Sequence, residues 1–468
     1  MSSKKLFAFL SLVLVLSMVL AACAAPTAEP TEEPMEEETM DEEEPMEEET
    51  MDDEDMGTML EGDPTGQTVV FWHAFSSGAN LESITAVVED FNATNEYGIT
   101  VEAVSQGSQG DLGTAMNGAI TTGELPNITM GFPNAMANYY NLGVMAELND
   151  FINDPMYGID AEVWNAIQAG GLEGVTLGDG TIIGIPVRQS VGALFYNFTW
   201  AEELGFDGPP TTPEEFKAQA CAAAEANAAD DNPDNDDAGY VMYNDASYIL
   251  PWYVAFGGNF LTEDGTNYDL NNETALEVAL FLKDLVDSGC TLTTPSFPNP
   301  EVAGRLALYA ASSSAGIPFQ RSAFEDVGNE DTWGVIGFPG SAGVVGNAYI
   351  QPAGVVATNP DADLASFLFL KYLTSPEVQV TTTLSTGYMP VNSLADIGTK
   401  AEDDVQWGQA YELLQSNSFS EPPIAAHFAV RGLMRDAFDA IMAAADEAEV
   451  QAILDQLQAD AEQAVADT

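Results

Sequence analysis

Five short clusters of small polar and aromatic residues follow predicted strands. They cover residues 72–76 (WHAFS), 107–111 (GSQGD), 188–190 (RQS), 312–314 (SSS) and 386–390 (TGYMP). In open α/β sheets, ligands bind beyond the carboxyl ends of strands, where helices begin with free N–H groups. Aromatic faces pack against the C–H faces of a sugar or polyol, and short polar groups bond its hydroxyls. Any single cluster is more simply a turn, but five together indicate a binding site for a neutral polyhydroxylated solute.

Catalytic signatures are missing from the sequence. It contains no GxSxG, HExxH or GxxxxGK[ST] motif. Its two histidines, His73 and His427, could bridge a metal across a cleft, but no pattern of neighbouring residues that would orient two such ligands accompanies them, and we expect neither a metal nor a cofactor. Carboxylates are abundant, so an exported carbohydrate-active enzyme that uses two of them stays open as the alternative to a binding protein.

The stretches around these clusters predict alternating strands and helices. The predicted strands are residues 67–72, 99–104, 127–130, 181–186 and 191–196, with RQS as a polar break between the last two. The predicted helices are residues 81–92, 112–122, one that Thr211 caps, 274–288 and 430–466. Alternation of this kind is typical of parallel sheets covered by helices, and roughly 400 residues exceed the span of one core, about 250 to 300. The sequence therefore predicts an α/β fold with two lobes.

The chain is strongly acidic. Its 468 residues include 75 Asp and Glu against 11 Lys and Arg, a formal net charge of −64. From residue 64 onward the balance is 9 basic against 56 acidic residues, a net charge of −47. Nucleic-acid binding is disfavoured because it depends on basic surface. Such an excess of acid is also typical of proteins adapted to high salt, which we take as a hypothesis.

The first 65 residues predict export and anchoring. Lys4 and Lys5 precede an apolar run that is too short to span a bilayer and closes with LAAC, which resembles a bacterial lipobox. Residues 1–22 are thus a predicted signal peptide, and Cys23 is the predicted lipid attachment site; an ordinary signal cleaved near Ala22 is the alternative. Residues 23–65, with PMEEETMD repeated, predict an acidic, disordered stalk. We expect an exported lipoprotein on the outer face of the cytoplasmic membrane.

Two further cysteines, Cys221 and Cys290, are separated by 69 positions and lie outside any CxxC motif. In an exported protein such a pair favours a disulfide, although two helices that do not touch could not be bridged. The pairing stays a prediction at this point.

Several motifs in order resemble a known family. These are VVFWHAF at the first strand, GYVMYNDAS and IPVRQSVGALFYN in the middle, and SPEVQ, TGYMPVN and GLMRDAFDAI toward the end. The chain from about residue 67 to about 466 resembles the extracellular solute-binding proteins of bacterial ABC importers, family 1, which includes maltose and glycerol-phosphate binders. The resemblance implies a type II periplasmic-binding-protein-like fold and a receptor without enzymatic activity.

The resemblance also implies how the chain is divided. One lobe would hold residues 66–189 and 351–397, and the other residues 190–350 and 398–466, with crossings near Arg188, Ile350 and Gly398. Such lobes close on a small ligand like a hinged clamp, and the membrane permease recognises the closed form. The implied partners are a sugar or polyol and an ABC permease, with the receptor itself a monomer.

Departures from the glycerol-phosphate binders bear on the ligand. Gln109 stands where those proteins carry Tyr, Gly131 or a neighbour replaces a Glu, Asn244 replaces a Trp, and His427 replaces a phosphate-holding Arg. Since an Arg pairs with two phosphate oxygens and a His can be neutral, we expect a neutral carbohydrate or polyol, with a glycerol-phosphate-type ligand as the alternative. Arg188 could hold a carboxylate or other anion, or could simply pair with an acidic side chain.

The candidate ligand-binding residues combine the clusters with the residues implied by the resemblance. They are Trp72, His73, Phe75, Gln109, Asp111, Arg188, Gln189, Ser190, Asn244, Ser313, Ser314, Tyr388 and His427.

Overall fold

The structure is a computed structural model that describes residues 58–167, 171–172, 174–229, 238–263, 265–294, 299–422 and 424–467. The predicted signal peptide, Cys23 and the stalk up to residue 57 lie outside the described residues. No helix in the described ranges is long and apolar enough to cross a membrane.

Lobe 1 is built on three parallel strands in the order β2-β1-β3. These are β1 (Thr68–His73), β2 (Thr100–Ser105) and β3 (Ile128–Met130). Helices α1 (Gly78–Thr94) and α2 (Gln109–Thr122) connect them. The predicted strand-helix-strand-helix-strand order of this region is confirmed, because apolar residues at helical and alternating spacing bury one face of each element.

Lobe 2 is built on a second set of parallel strands in the order β7-β5-β6. These are β5 (Tyr240–Tyr243), β6 (Thr291–Thr294) and β7 (Tyr309–Ser313). A disulfide joins Cys221 to Cys290, which directly precedes β6. The bond ties the helix Pro213–Ala229 to this sheet.

Two strands of 13 residues each cross between the lobes, β4 (Ile185–Asn197) and β10 (Gly343–Val355). They pair antiparallel with each other, and Ile350 lies opposite Gln189. At about 3.3 Å per residue each strand extends for about 40 Å, enough to enter both sheets. Three short strands pair with the lobe 2 ends of β4 and β10. They are β8 (Trp333–Ile336), β9 (Phe338–Gly340) and β11 (Ser418–Ser420).

The predicted polar break at RQS is wrong, because β4 runs through it without interruption and is buried at every position. The three polar side chains are covered by other parts of the chain. Gln189 Nε2 donates to the Pro390 carbonyl at 2.6 Å, and the guanidinium of Arg188 lies on aromatic rings. Polar residues in a central strand here mark the crossing between lobes.

Fifteen further helices cover the sheets in the described part of the chain. In order they are α3 (Pro133–Asn141), α4 (Asn149–Asn153), α5 (Ala161–Asn165), α6 (Phe198–Glu203), α7 (Pro213–Ala229), α8 (Ala246–Ala255), α9 (Glu273–Asp287), α10 (Asn299–Ala303), α11 (Ile317–Val327), α12 (Pro360–Leu373), α13 (Pro376–Ser385), α14 (Lys400–Asp403), α15 (Val405–Ser416), α16 (Ala426–Ala443) and α17 (Glu447–Ala466).

Two helix predictions need correction. The stretch 430–466 is not one helix, since Ala444 is extended and Asp446 caps a new helix by accepting from the Glu449 N–H. At the start of α7, the hydroxyl that accepts from the Glu215 N–H belongs to Thr212, whereas Thr211 bonds the Glu215 carboxylate. Ala-rich sequence favours helix on both sides of a break, so composition alone hides where the chain turns.

Each lobe has its own apolar core. In lobe 1, Phe71, Phe91 and Phe369 pack between β1 and the covering helices. In lobe 2, Phe216 and Trp252 pack edge to face. A smaller cluster that includes Trp407 of α15 covers the crossing strands from behind. Each set of strands thus packs around its own apolar residues, as expected for two lobes joined by crossing strands.

Candidate functional site

The register of the crossing strands shows where the other strands point. Met130, at the end of β3, pairs with Ala353 on the crossing side of β10, and β1 and β2 run parallel to β3. In lobe 2, Ser313 at the end of β7 pairs with Gly192 of β4, and β5 runs parallel to β7. The carboxyl ends of both sets of strands therefore face the cleft between the lobes, the edge where α/β sheets bind ligands.

A cavity of about 330 Å³ lies in this cleft beside β10. Lobe 1 lines it with Phe132 and Asn134, and lobe 2 lines it with Phe260 and Glu421. Tyr349 of β10 lies between them, with its ring centroid 6.3 Å from that of Phe132. Three aromatic rings, an amide and a carboxylate thus surround a space suited to a small ligand.

Glu421 is the one carboxylate among the described residues that line the cavity, and both of its oxygens accept hydrogen bonds. It accepts from Asn347 Nδ2 at 3.0 Å, from His427 Nε2 at 2.8 Å, and from the guanidinium of Arg431. Burial alone would raise the pKa of Glu421, but the charge of Arg431 and the hydrogen bond from His427 hold that pKa well below its usual range. Glu421 is therefore an ionised acceptor in the cavity wall.

Arg431 connects the two lobes. It donates from Nη2 to Asp245 Oδ1 at 2.8 Å and to Ser247 Oγ at 2.7 Å, both in lobe 2. Its guanidinium also lies 5.4 Å from the ring centroid of Phe132 in lobe 1. A cation over an aromatic face is attractive, so this pair favours the closed arrangement of the lobes.

A second polar group lies further along the crossing strands, around Arg188. Arg188 pairs with Gln351 of β10, so both side chains emerge on the same face of the sheet. The guanidinium lies 4.5 Å from the ring centroid of Phe75 and 5.4 Å from that of Tyr388. Gln351 Nε2 donates to the Tyr388 hydroxyl at 3.1 Å. The structure therefore brings together Phe75, Arg188 and Tyr388, three of the predicted site residues.

His73 belongs to the same group. Its ring stacks with Phe75 at 5.7 Å between centroids, and its Nδ1 accepts from the Phe75 N–H at 3.2 Å. Burial and the nearby charge of Arg188 lower the pKa of His73 to about 4, so the ring is neutral at ordinary pH. Because Nδ1 is the acceptor, the neutral ring carries its proton on Nε2.

The other predicted histidine has a different place. His427 is fully buried inside lobe 2, between Glu421 and the hydroxyl of Tyr268, which lies 2.8 Å from its Nδ1. It is not among the described residues that line the cavity. Its contribution is indirect, because it orients Glu421. Among the described residues, no three His, Cys, Asp or Glu side chains come together as a metal site requires.

Several other predicted residues have structural partners. Asn244 Nδ2 donates to Asp439 Oδ1 at 2.6 Å within lobe 2, and Ser314 Oγ accepts from the Val191 N–H at 3.3 Å. The backbone of Gln189 pairs with Met389, which holds the third connecting segment against β4. These residues build the frame of the cleft.

The remaining predictions lie at the rim or in strands. Asp111 is exposed and forms a capping box with Ser108 at the start of α2. Trp72, next to the carboxyl end of β1, is half-buried and packs against the lobe 1 core. Gln109 has a buried Nε2 with no hydrogen-bond partner among the described residues, whereas Ser190 and Ser313 are nearly covered at the crossing.

The lobes also touch through two rings of lobe 2. A Cβ placed on Gly78, at the start of α1, would lie 3.0 Å from the ring of Phe319. One placed on Gly113 in α2 would lie 3.5 Å from the ring of Phe428. Both phenylalanines are more than a third exposed, at 37% and 39%. Glycine at these two positions lets the aromatic rings close onto lobe 1.

Sequence reasoning missed Phe132, Tyr349 and Glu421, which line the cavity, and Arg431, which bonds Glu421. Signals in the sequence could have found two of these four residues. Arg431 is one of only 9 basic residues after the stalk and lies one helical turn beyond His427. Tyr349 directly precedes the predicted crossing at Ile350. Phe132 and Glu421 carry no comparable signal, because they are brought to the cavity by chain folding.

Comparison with known families identifies the chain. The profile of the family described as bacterial extracellular solute-binding protein matches residues 86–408, more than half of the sequence. The chain belongs to this family. The expected fold, two α/β lobes joined by crossing strands, is that of the family's solved relatives.

Curated relatives of this solute-binding protein are distant. A putative binding protein of Brucella abortus is 23% identical over 261 residues, which is 55% of this chain and 60% of the relative. A putative binding protein of Brucella suis matches to the same extent. The chain thus spans about 60% of the length of the curated relatives it matches.

Solved structures match over nearly their whole length. The GacH receptor of Streptomyces glaucescens, solved unliganded and with acarbose, has a TM-score of 0.71 at 21% identity and covers 84% of this chain and 99% of its own. The maltotriose-binding protein of Thermus thermophilus has a TM-score of 0.68 at 18% identity, covering 85% and 100%. UgpB of Mycobacterium tuberculosis, solved with glycerophosphocholine, has a TM-score of 0.71 at 15% identity, covering 86% and 98%. These likenesses establish the fold.

Proposed function

We propose that this solute-binding protein captures a small neutral carbohydrate or polyol in the inter-lobe cleft and delivers it to an ABC permease. It would do so as a lipoprotein anchored through Cys23, with residues 23–65 as a spacer from the outer face of the membrane. The lobe boundaries we propose are residues 66–189 with 351–397, and 190–350 with 398–466. The receptor works as a monomer and makes or breaks no covalent bond.

Buried hydrogen-bond acceptors along the cleft carry this proposal. Asn134 Oδ1 lies in the cavity wall, and Asn347 Oδ1 and Gln351 Oε1 belong to residues on either side of the lining residues 348–350 of β10. All three atoms are buried and have no hydrogen-bond partner among the described residues. Leaving a buried polar atom unpaired costs about 1–3 kcal/mol. An acceptor needs a donor, and the hydroxyl of a sugar or polyol donates, whereas an ionised phosphate ester offers only acceptors at its phosphate.

The walls of the cavity support the same ligand class. Phe132, Phe260 and Tyr349 supply flat apolar faces for the C–H surfaces of a ring. Glu421 is ionised and would repel an anion placed beside it. Solved proteins of this fold were crystallised with acarbose and with maltotriose.

A glycerol-phosphate-type ligand is the second candidate, favoured by the fold's likeness to UgpB. Arg431 bonds Glu421 in the cavity wall, and it also pairs with Asp245. A phosphate would have to displace these carboxylates, which makes Arg431 a poor phosphate anchor.

An enzymatic role for the same cleft has less support. A glycosidase needs one carboxyl group whose pKa is raised enough to donate a proton, beside a second carboxylate. Glu421 has the opposite character, because its pKa is lowered and its oxygens already accept three hydrogen bonds. Binding without turnover is the expected activity.

Calorimetric titration of the purified protein with a panel of neutral sugars, polyols and sn-glycerol 3-phosphate tests this function. We expect a neutral ligand to bind stoichiometrically and to be recovered unchanged. The Asn134→Ala variant should bind that ligand about tenfold more weakly, because one acceptor is lost. Asn117→Ala, on the exposed face of α2, is the matched control and should bind normally. Tighter binding of sn-glycerol 3-phosphate than of every neutral ligand, or release of a product, would contradict the proposal.

A further inference from the structure

Arg188 is unusual among the basic residues of this protein. All 9 cations after the stalk lie in the described part of the chain, and seven of them form ion pairs there. Of the other two, Lys371 donates to the carbonyl of Tyr157 at 3.1 Å. Arg188 has no carboxylate within ion-pair distance among the described residues, although the chain carries a large excess of acid. An ion pair with an acidic side chain, the simpler role for Arg188, is thus not what the described residues provide.

The guanidinium is also removed from solvent. Arg188 is only 3% exposed, and its Nη1 has no hydrogen-bond partner among the described residues. A buried charge without a partner carries a large desolvation cost, which the rings of Phe75 and Tyr388 offset only in part. Although burial lowers the pKa of Arg188 to about 10, the group stays charged at neutral pH.

The groups around Arg188 are mainly donors. The hydroxyl of Tyr388 accepts from Gln351 Nε2, so its own proton is free to donate. The Nε2 proton of neutral His73 is a further donor beside Phe75. One acceptor is present as well, the unpaired Gln351 Oε1. A ligand group that fits would accept two or three hydrogen bonds and carry a hydroxyl next to it.

We propose that Arg188, with Tyr388, His73 and Gln351, forms a subsite for the carboxylate of a sugar acid, with Gln351 Oε1 accepting from a neighbouring hydroxyl. The inference rests on the proposed carbohydrate-binding function and goes beyond it, because it adds acidic sugars to the ligand class. A neutral sugar would place a hydroxyl beside Arg188 instead of a carboxylate and would gain less binding free energy from it. A carboxylate suits a single guanidinium, whose two N–H groups match its two oxygens.

The position of the subsite fits a ligand that also fills the cavity. Tyr349 lines the cavity, and Gln351 lies two residues further along β10 on the same face. Neighbouring side chains on one face of a strand are about 7 Å apart, close to the width of a sugar ring. The ring of a sugar acid would therefore lie near Tyr349 while its carboxylate reaches Arg188, once the lobes open to admit it.

The test is calorimetric titration of the full chain with matched pairs, D-glucuronate against D-glucose and D-galacturonate against D-galactose. In at least one pair we expect the uronate to bind about tenfold tighter or better, as hydrogen bonds to a charged group predict. Arg188→Gln should reduce the ratio of the uronate affinity to the neutral-sugar affinity to about one. Arg435→Gln removes an equal charge from an exposed ion pair and should leave the ratio unchanged.

Two more variants keep the test decisive if Arg188→Gln does not fold. Arg188→Lys keeps the charge but loses the fork, and Tyr388→Phe removes a hydroxyl that donates to the carboxylate; each should lower the ratio at least threefold. A ratio near one in the wild type, a ratio that no variant changes, or tighter binding of sn-glycerol 3-phosphate than of any uronate overturns the subsite. If neutral sugars bind but uronates gain nothing, only this inference fails; if neither series binds, the proposed function fails with it.

Discussion

Two buried charges in the cleft are stabilised in different ways. Glu421 is surrounded by an amide, a histidine and a guanidinium that all donate to it. Arg188 instead lies against the rings of Phe75 and Tyr388. A saturated carboxylate belongs to the permanent frame, whereas a guanidinium without a carboxylate is ready for a ligand. The same contrast separates His427, both of whose ring nitrogens are hydrogen-bonded, from His73, for which only the Nδ1 bond is found among the described residues.

The depressed pKa of His73 predicts a pH dependence of stability. The unfolded chain binds a proton near pH 6.5 and the folded chain only near pH 4, so the unfolded state takes up the proton first as the pH falls. The contribution of His73 to the free energy of unfolding is constant above pH 6.5 and is lost as the pH falls from 6.5 to 4. Between about pH 7 and pH 5 the free energy of unfolding should fall by about 2 kcal/mol from this residue.

The His73→Asn variant isolates that contribution, because the amide oxygen can still accept from the Phe75 N–H. Urea unfolding of both proteins at the two pH values measures it. The variant should lose less stability than the wild type on acidification. Equal losses in the two proteins would mean that His73 titrates normally in the folded state.

At the scale of elements, the crossing is made of more than β4 and β10. Met389 pairs with Gln189 of β4, and the segment before it lies against the end of β7. Asn392 donates to carbonyls of lobe 1, whereas Trp407 packs behind the crossing strands. The third connection therefore passes between the lobes after Asn392, and its path depends on one close backbone contact at Gly387.

Gly387 is the point where this segment meets lobe 2. A Cβ at Gly387 would lie 1.9 Å from the backbone oxygen of Ser314, so Gly387→Ala must displace the chain. We expect a loss of about 1–3 kcal/mol in the free energy of unfolding, together with weaker ligand binding. Urea unfolding and calorimetric titration measure the two effects.

Gly432→Ala is the matched control for that substitution. Gly432 lies within α16, and a Cβ there meets no other atom within 4 Å. Since Ala favours helix over Gly by about 1 kcal/mol, this variant should be slightly stabilised. A Gly387→Ala protein as stable as the Gly432→Ala protein would contradict the close contact.

For the molecule as a whole, charge and closure are the dominant features. The net charge of −47 after the stalk is spread over a surface with few cations, and most of those cations are already in ion pairs. Between the lobes the contacts are aromatic and cationic, as in Arg431 on Phe132. Self-repulsion of this size opposes the compact state and is weakened by salt.

Stability should therefore rise with ionic strength. On going from about 0.1 M to about 2 M NaCl, the free energy of unfolding should increase as counterions screen the repulsion. Thermal unfolding across a salt series measures it, and glycine betaine at equal osmolality is the uncharged control. A protein that is more stable in dilute buffer than in molar salt would refute adaptation to high salt.

The sequence by itself determined the α/β fold and the strand-helix-strand-helix-strand order of lobe 1, because local periodicity concerns neighbours in the chain. The crossing near Arg188 was implied by the family resemblance, and the ligand-binding roles of Arg188, Phe75 and Tyr388 stay predictions. The sequence misplaced the break in β4, since polar residues there look like a turn until the segments that cover them are known. It also did not show that His427 is held between Glu421 and Tyr268.

The tertiary structure alone decided which polar atoms have partners. Glu421 and Arg431 are ten residues apart, but Asn347, Asp245 and Phe132 reach them from distant parts of the chain. Whether a buried charge is paired depends on which distant segments fold against it, and spacing in the sequence carries no record of that. For Arg188 the sequence left both an ion pair and an anion site open, and folding surrounded its guanidinium with Phe75 and Tyr388 and with no carboxylate among the described residues.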